Sequence, residues 1–186
     1  HRFVAPVRSS LVDALAISAT ILLSMNLCRA QDVTTYQQPP APIAQILDAR
    51  PLPAVSVSPR HDWLLLLERR GLPTIAELSE PELGLAGVRI NPRTNGPSRT
   101  SPLVGLTLRG VRNGVERPIK TPENPRIGAA AWCPDAPRIG FTQTSDDGVA
   151  LWVAELATGE ARAVTEPNLN AALGRAWAWL PGGERV

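Results

Sequence analysis

The sequence predicts an all-β fold made of four-stranded antiparallel units. Four short runs follow one another after residue 126, and each is too short for a stable isolated helix. They cover residues 127–132, 138–144, 149–156 and 160–165. The connections between them contain Pro, Asp and Gly, which supply the backbone angles of tight reversals. Because such a meander repeated radially is a propeller blade, we predict a partial β-propeller.

An internal repeat points to the same architecture. Residues 57–64, 132–139 and 179–186 share a proline that follows an aromatic or apolar residue by two positions and precedes another apolar residue by five. Pro134 and Pro181 are separated by a distance within the roughly 40 to 50 residues of a four-stranded blade. The first segment lies further away, which predicts an insertion in the first blade. The alternative is that unrelated turns happen to contain proline.

Residues 1–30 have the layout of a secretory signal peptide. Two arginines precede an apolar run over residues 14–25, and a small-residue cleavage site ends at Ala30. The run is too short to span about 30 Å of hydrocarbon. We therefore expect a signal that is cleaved after Ala30 and a secreted or periplasmic protein. A permanent anchor and a lipid attached to Cys28 are the alternatives.

Residues 31–53 are predicted to form an extended arm or linker. The first part is polar and rich in proline, a composition typical of extended, poorly packed chain. Residues 43–49 place apolar side chains at helical spacing for one or two turns. Pro51 and Pro53 end this pattern.

The first blade is expected to begin at residue 54 and to contain the insertion. A strand pair, residues 54–58 with 63–69, surrounds a turn at Pro59. Within the insertion, Thr74 and Glu77 have the spacing of a capping box for a short helix that ends at Pro81. The remaining runs are a strand at 85–90 and a hairpin of 104–109 with 115–119, joined through Arg112-Asn113-Gly114 with an Asn-Gly reversal. Residues 54–186 would then hold two blades and the start of a third.

Composition excludes several classes of protein. The net charge is +2 and the basic residues are spread along the chain, so no nucleic-acid surface is predicted. After Ala30 the sequence contains one cysteine, Cys133, and one histidine, His61, which is too few for an internal disulfide or a predicted metal site. No stable membrane span is predicted. Because the chain begins at His1 and ends at Val186 within an expected strand, we expect it to be truncated at both ends.

Two stretches carry a resemblance to a known family. Trp132-Cys133-Pro134-Asp135, with residues 138–142 and 151–160, resembles the blade consensus of the prolyl oligopeptidase family of serine peptidases. In that family a propeller precedes an α/β-hydrolase domain. The consensus has serine before the proline and glycine after the aspartate, where this chain has Cys133 and Ala136.

The upstream match is more discriminating. Residues 42–56, 69–78 and 85–91 are similar to the amino-terminal region of the glutamyl endopeptidase branch, which is known from chloroplasts and from bacterial relatives. The family implies hydrolysis of peptide bonds by a Ser-Asp-His triad, with the serine in a G-x-S-x-G elbow on the hydrolase domain. No such elbow occurs between His1 and Val186. We therefore predict no catalytic, cofactor-binding or metal-binding residue in this chain, and no cofactor.

The resemblance implies that the propeller acts as a lid that admits short or unfolded peptides to the missing hydrolase domain. The partners implied are thus a peptide substrate and that domain. Glu77, Glu80 and Glu82 could hold the amino terminus of a peptide, and Arg89 could meet an acidic side chain. The alternative reading of these four residues is a solvated loop face.

Two functions from different classes are consistent with the sequence. The first is the amino-terminal propeller portion of an exported serine peptidase. The second is a non-catalytic periplasmic β-propeller that binds other molecules, since some binding propellers have the same W-x-P-D-G sequence motif in their blades. A hydrolase domain downstream would distinguish the two.

Overall fold

The structure is a computed structural model that describes residues 38–183 and residue 186. The predicted signal peptide and the first residues of the predicted arm lie outside the described residues. Helix α1, Ala41–Leu47, begins two residues before the predicted amphipathic turn, and nearly all its side chains are exposed. Part of the predicted extended arm is therefore helical.

The rest of the described chain consists of short antiparallel strands and one further helix, α2, Ile75–Leu78. The strands are β1 Ala54–Val57, β2 Trp63–Arg69, β3 Leu83–Leu85, β4 Val88–Asn91, β5 Gly96–Pro97, β6 Leu103–Gly110, β7 Glu116–Pro118, β8 Ile127–Trp132, β9 Arg138–Thr144, β10 Val149–Glu155 and β11 Ala161–Ala163. The prediction of an all-β fold is confirmed.

Two four-stranded antiparallel meanders make up most of the structure. The first has the order β1-β2-β6-β7, and the second has the order β8-β9-β10-β11. A single bridge between Leu103 and Ile127 links the two. The first sheet carries an insertion, residues 70–102, which contains α2 and the small sheet β3-β4-β5. Strand number and order within each meander match the prediction.

The hydrophobic core is one cluster that draws side chains from both meanders. Leu65, Leu106 and Leu108 contribute from the first sheet, and Ile139 and Phe141 contribute from the second. Each of these five side chains is at most 2% exposed. Strand β10 is buried on nearly every residue, as its continuous apolar sequence predicts for a strand covered on both faces. The two sheets are thus held together mainly by apolar burial.

The second face of β9 is covered by chain that follows β11. The rings of Trp177 and Trp179 lie against Gly140, where no side chain intervenes. The indole Nε1 of Trp179 donates to the carbonyl of Ala131 at 3.4 Å, and the amide of Gly182 donates to a carboxylate oxygen of Asp135 at 2.9 Å. Residues 177–183 therefore pack on the second sheet from the side opposite the first sheet.

The three repeated turns share some backbone features but are not identical. The amide of Ser58 donates to the carbonyl of Trp63, and the amide of Cys133 donates to the carbonyl of Arg138, both at 2.9 Å. Two residues after the proline, His61 and Gly183 both have positive φ, 57° and 66°. Ala136, at the same position of the middle copy, does not. The alanine that replaces the consensus glycine thus coincides with a different turn conformation.

One strand prediction was wrong. Residues 85–90 were expected to form a single strand, but they contain a reversal between β3 and β4. Ala86 and Gly87 both have positive φ, 48° and 85°, which is the requirement of a two-residue type I′ hairpin turn. Alanine seldom adopts this conformation, so Gly87 was the one weak signal for the turn in this pair of residues.

The reversal after β6 contains the three residues predicted to join the hairpin, Arg112-Asn113-Gly114. The amide of Gly110 donates to the carbonyl of Val115, so residues 111–114 form the loop. Gly114 has the positive φ that the Asn-Gly pair indicates.

Candidate functional site

The four residues proposed from sequence as substrate contacts all lie in the insertion. Glu77 belongs to a complete capping box, in which its carboxylate accepts from the amide of Thr74 while the Thr74 hydroxyl accepts from the amide of Glu77. Arg70 pairs with the same carboxylate at 3.1 Å. Partial burial raises the pKa of Glu77, but the hydrogen bonds from Thr74 and the charge of Arg70 outweigh it and lower the pKa.

Glu80 joins the insertion to the second sheet. Its carboxylate accepts from the side-chain amide of Asn91 at 2.7 Å and pairs with Arg126 at 3.0 Å. Arg126 immediately precedes β8. Because both charged side chains are about one quarter exposed, this pair is better shielded than an ordinary surface ion pair.

Glu82 immediately precedes β3 and contacts residues on β4 and after β5. It accepts from the hydroxyl of Ser98 at 2.8 Å and pairs with both Arg89 and Arg99. The hydrogen bond from Ser98 lowers the pKa of Glu82, desolvation opposes it, and the charges and hydrogen bonding of the two arginines add to the lowering, so that the pKa is lowered overall. Arg89 therefore already has a carboxylate partner.

These contacts make the insertion a small ion-paired unit. Each of its three candidate glutamates has an arginine partner within this chain. A peptide ammonium would have to compete with those arginines for the carboxylates. These ion pairs and hydrogen bonds can stabilise the fold of the insertion. The described contacts therefore directly support a structural role for the three glutamates.

His61 and Cys133 occupy repeated turns. His61 is exposed, and its positive φ follows from the tight turn between β1 and β2. Cys133 is 2% exposed, and its Sγ lies 3.7 Å from the carbonyl oxygen of Gly183. Both positions are explained by turn formation and packing.

The described residues hold no group of three His, Cys, Asp or Glu side chains arranged to bind a metal ion. Of the two histidines in the sequence only His61 lies within the described residues, and the hydroxyl of the nearby Ser58 is used in the turn itself. Ser58 Oγ donates to Asp62 at 2.8 Å and accepts from the amides of Asp62 and Trp63.

A cavity of about 560 Å³ that sequence analysis did not identify lies beside the second sheet. The connection from β7 to β8, the end of β9 and the chain after β11 line it. Its side chains include Gln143 and Trp152, which sequence reasoning treated only as strand residues. No sequence signal distinguishes them, because their proximity depends on the pairing of β9 with β10.

The comparisons with known proteins found similarity to two proteins that are named as probable endopeptidases. No family model matches the chain. The chain is 38% identical to a probable chloroplastic glutamyl endopeptidase of Oryza sativa subsp. japonica in an alignment of 138 residues, which covers 68% of this chain and 15% of the relative. A probable chloroplastic glutamyl endopeptidase of Arabidopsis thaliana is also 38% identical, over 139 residues, covering 69% and 14%.

The chain thus spans about 15% of the length of the curated relatives that it matches. The expected similarity to glutamyl endopeptidases is confirmed for this region. No helix within the described residues is long and apolar enough to cross a membrane.

Proposed function

We propose that this chain is the amino-terminal propeller portion of an exported serine peptidase of the prolyl oligopeptidase family, in the glutamyl endopeptidase-like branch. The observation that carries the proposal is the 38% identity to two probable glutamyl endopeptidases over more than two thirds of the chain. The full protein would hydrolyse peptide bonds in short or unfolded peptides.

The fold supports the propeller part of this proposal. Each four-stranded meander has the strand order of a propeller blade, and the two share one apolar core. Residues 177–183 cover the other face of the second meander, where a third blade would begin. In this arrangement the ion-paired insertion is an addition to the first blade.

Catalysis would belong to a hydrolase domain that follows the propeller. Its histidine would take the proton of the serine, its aspartate would orient the histidine, and backbone amides would stabilise the oxyanion. The propeller would limit access to that site by size. On this proposal the chain contributes selection of substrates and no reacting group.

The test is to sequence the gene beyond the codon for Val186 and to assay its full-length product. We expect further blades, then G-x-S-x-G, then an aspartate and a histidine in that order. A fluorophosphonate probe should label the elbow serine, and changing that serine to alanine should abolish both labelling and hydrolysis of glutamate-containing peptides.

A second measurement compares cleavage of peptides of increasing length with cleavage of one folded protein that contains the same cleavage sequence. Gating by the propeller predicts that the short peptides are cleaved and the folded protein is not. If the reading frame ends after the blades, the peptidase proposal fails and a non-catalytic binding propeller takes its place.

A further inference from the structure

The cavity beside the second sheet contains a buried polar atom with no partner. Gln143 is 8% exposed and lines the cavity, and its Oε1 accepts no hydrogen bond within the described structure. Its Nε2 makes only a long bond, 3.3 Å, to the carbonyl of Thr144. A buried acceptor without a donor is costly. The side chain is therefore suited to accept from an N–H donor supplied by a ligand.

The charge around the cavity is negative. Glu123, Asp146 and Glu166 line it, and none of them forms an ion pair with another described residue. The one basic residue in the lining, Arg126, is already paired with Glu80. A cation entering the cavity would gain electrostatic attraction from three carboxylates, and an anion would be repelled.

An aromatic surface completes the lining. Trp152 is partly buried, lines the cavity, and stacks against Phe141 with ring centroids 6.4 Å apart. Trp is the best side chain for contact with a cation, and a planar guanidinium can also stack on its ring. The volume, about 560 Å³, falls within the usual range of ligand pockets.

We propose that this cavity binds a guanidinium group, as carried by an arginine side chain of a peptide. The guanidinium would donate to Gln143 Oε1, stack on Trp152 and lie among the carboxylates of Glu123, Asp146 and Glu166. A metal ion fits the site less well, because the carboxylates do not form a group that could hold one. The inference concerns this chain alone and does not depend on the proposed peptidase activity.

The first experiment measures binding of the peptide acetyl-Gly-Arg-Gly-amide to the 186-residue chain by isothermal titration calorimetry at low ionic strength. The blocked ends remove the terminal charges, so the guanidinium is the only cation. The matched ligand has citrulline in place of arginine, which keeps the shape and removes the charge. We expect the citrulline peptide to bind at least roughly tenfold more weakly, the effect of losing a charged hydrogen bond.

Adjacent residues in one turn provide matched protein variants. Asp146 lines the cavity and Asp147 does not. We expect D146N to weaken binding of the arginine peptide several-fold and D147N to leave it unchanged. Gln143→Leu should also weaken binding, while the free energy of unfolding of the chain stays the same or rises, because an unpartnered buried amide is removed.

Four results would overturn the proposal: equal binding of the arginine and citrulline peptides, equal effects of D146N and D147N, displacement of the arginine peptide by millimolar calcium, or no binding. A lysine peptide that binds as tightly as the arginine peptide would overturn the specific assignment to guanidinium. Circular dichroism of each variant separates loss of binding from loss of fold.

Discussion

At the scale of single residues, the centre of β9 shows how one missing side chain sets the packing. Gly140 lies between the core on one face and two indole rings on the other. A Cβ at this position would lie 2.5 Å from Cη2 of Trp177 and 3.1 Å from Cζ2 of Trp179. The rings can approach the strand this closely only because the residue is glycine.

Gly140→Ala is therefore expected to lower the free energy of unfolding by about 1–3 kcal/mol, the usual cost of overpacking. The measurement is urea unfolding followed by tryptophan fluorescence. Gly84→Ala is the matched control, because Gly84 also lies in a strand and nothing lies within 4 Å of the added methyl group. Equal effects of the two substitutions would contradict the packing of residues 177–183 on β9.

At the scale of elements, the insertion depends on carboxylates that must remain ionised. The pKa of Glu82 is lowered by Ser98 and by two arginines, and the pKa of Glu77 is lowered by Thr74 and Arg70 despite partial burial. A lowered pKa in the folded state stabilises the fold above the unfolded value, near 4.5. This contribution is lost as the pH falls through the lowered folded value.

We expect the β3–β4 hairpin to open as the pH is lowered below about 4.5, while the two large sheets persist. Amide hydrogen exchange of Val88–Asn91 between pH 6 and pH 3 measures this, after correction for the intrinsic pH dependence of exchange. Glu82→Gln should give faster exchange at pH 6 and a weaker pH dependence. Glu116→Gln, which removes an exposed carboxylate paired with Arg109 outside the insertion, should leave this pH profile unchanged.

Elements with strong local signals were predicted well from the sequence. Strands β2, β8 and β9 have the predicted bounds, because apolar runs flanked by Pro, Asp and Gly leave little freedom in where a strand ends. The capping box at Thr74 is also confirmed. The hairpin at Ala86-Gly87 was missed because its turn uses an alanine at positive φ, which tertiary contacts and not local preference must stabilise.

The contacts between elements could not be predicted from the sequence. The ion pair of Glu80 with Arg126 joins residues 46 positions apart, and the indole Nε1 of Trp132 donates to Ser56 Oγ from 76 positions away. Which residues meet across such separations depends on strand pairing and on how the sheets pack. The cavity lined by Gln143 and Trp152 was missed for the same reason.

At the scale of the molecule from residue 47 onward, the two faces of the first sheet differ in burial. Leu65 faces the shared core, whereas Val55 and Val57 are 56% and 50% exposed. Their partners across the strand pair, Leu66 and Leu64, add apolar surface beside them. A sheet face of this composition next to an unpaired strand edge favours association. In the proposed propeller, another blade would cover it.

We therefore expect the 186-residue chain to associate with increasing concentration, as measured by sedimentation velocity. Replacing Val55 and Val57 by lysine should shift it toward monomer with little effect on folding, because both side chains are half exposed. Val115→Lys is the control, since Val115 is 51% exposed but lies in a loop. A monomeric chain that unfolds cooperatively without these substitutions would mean that the exposed valine face needs no neighbouring blade, and it would count against the propeller proposal.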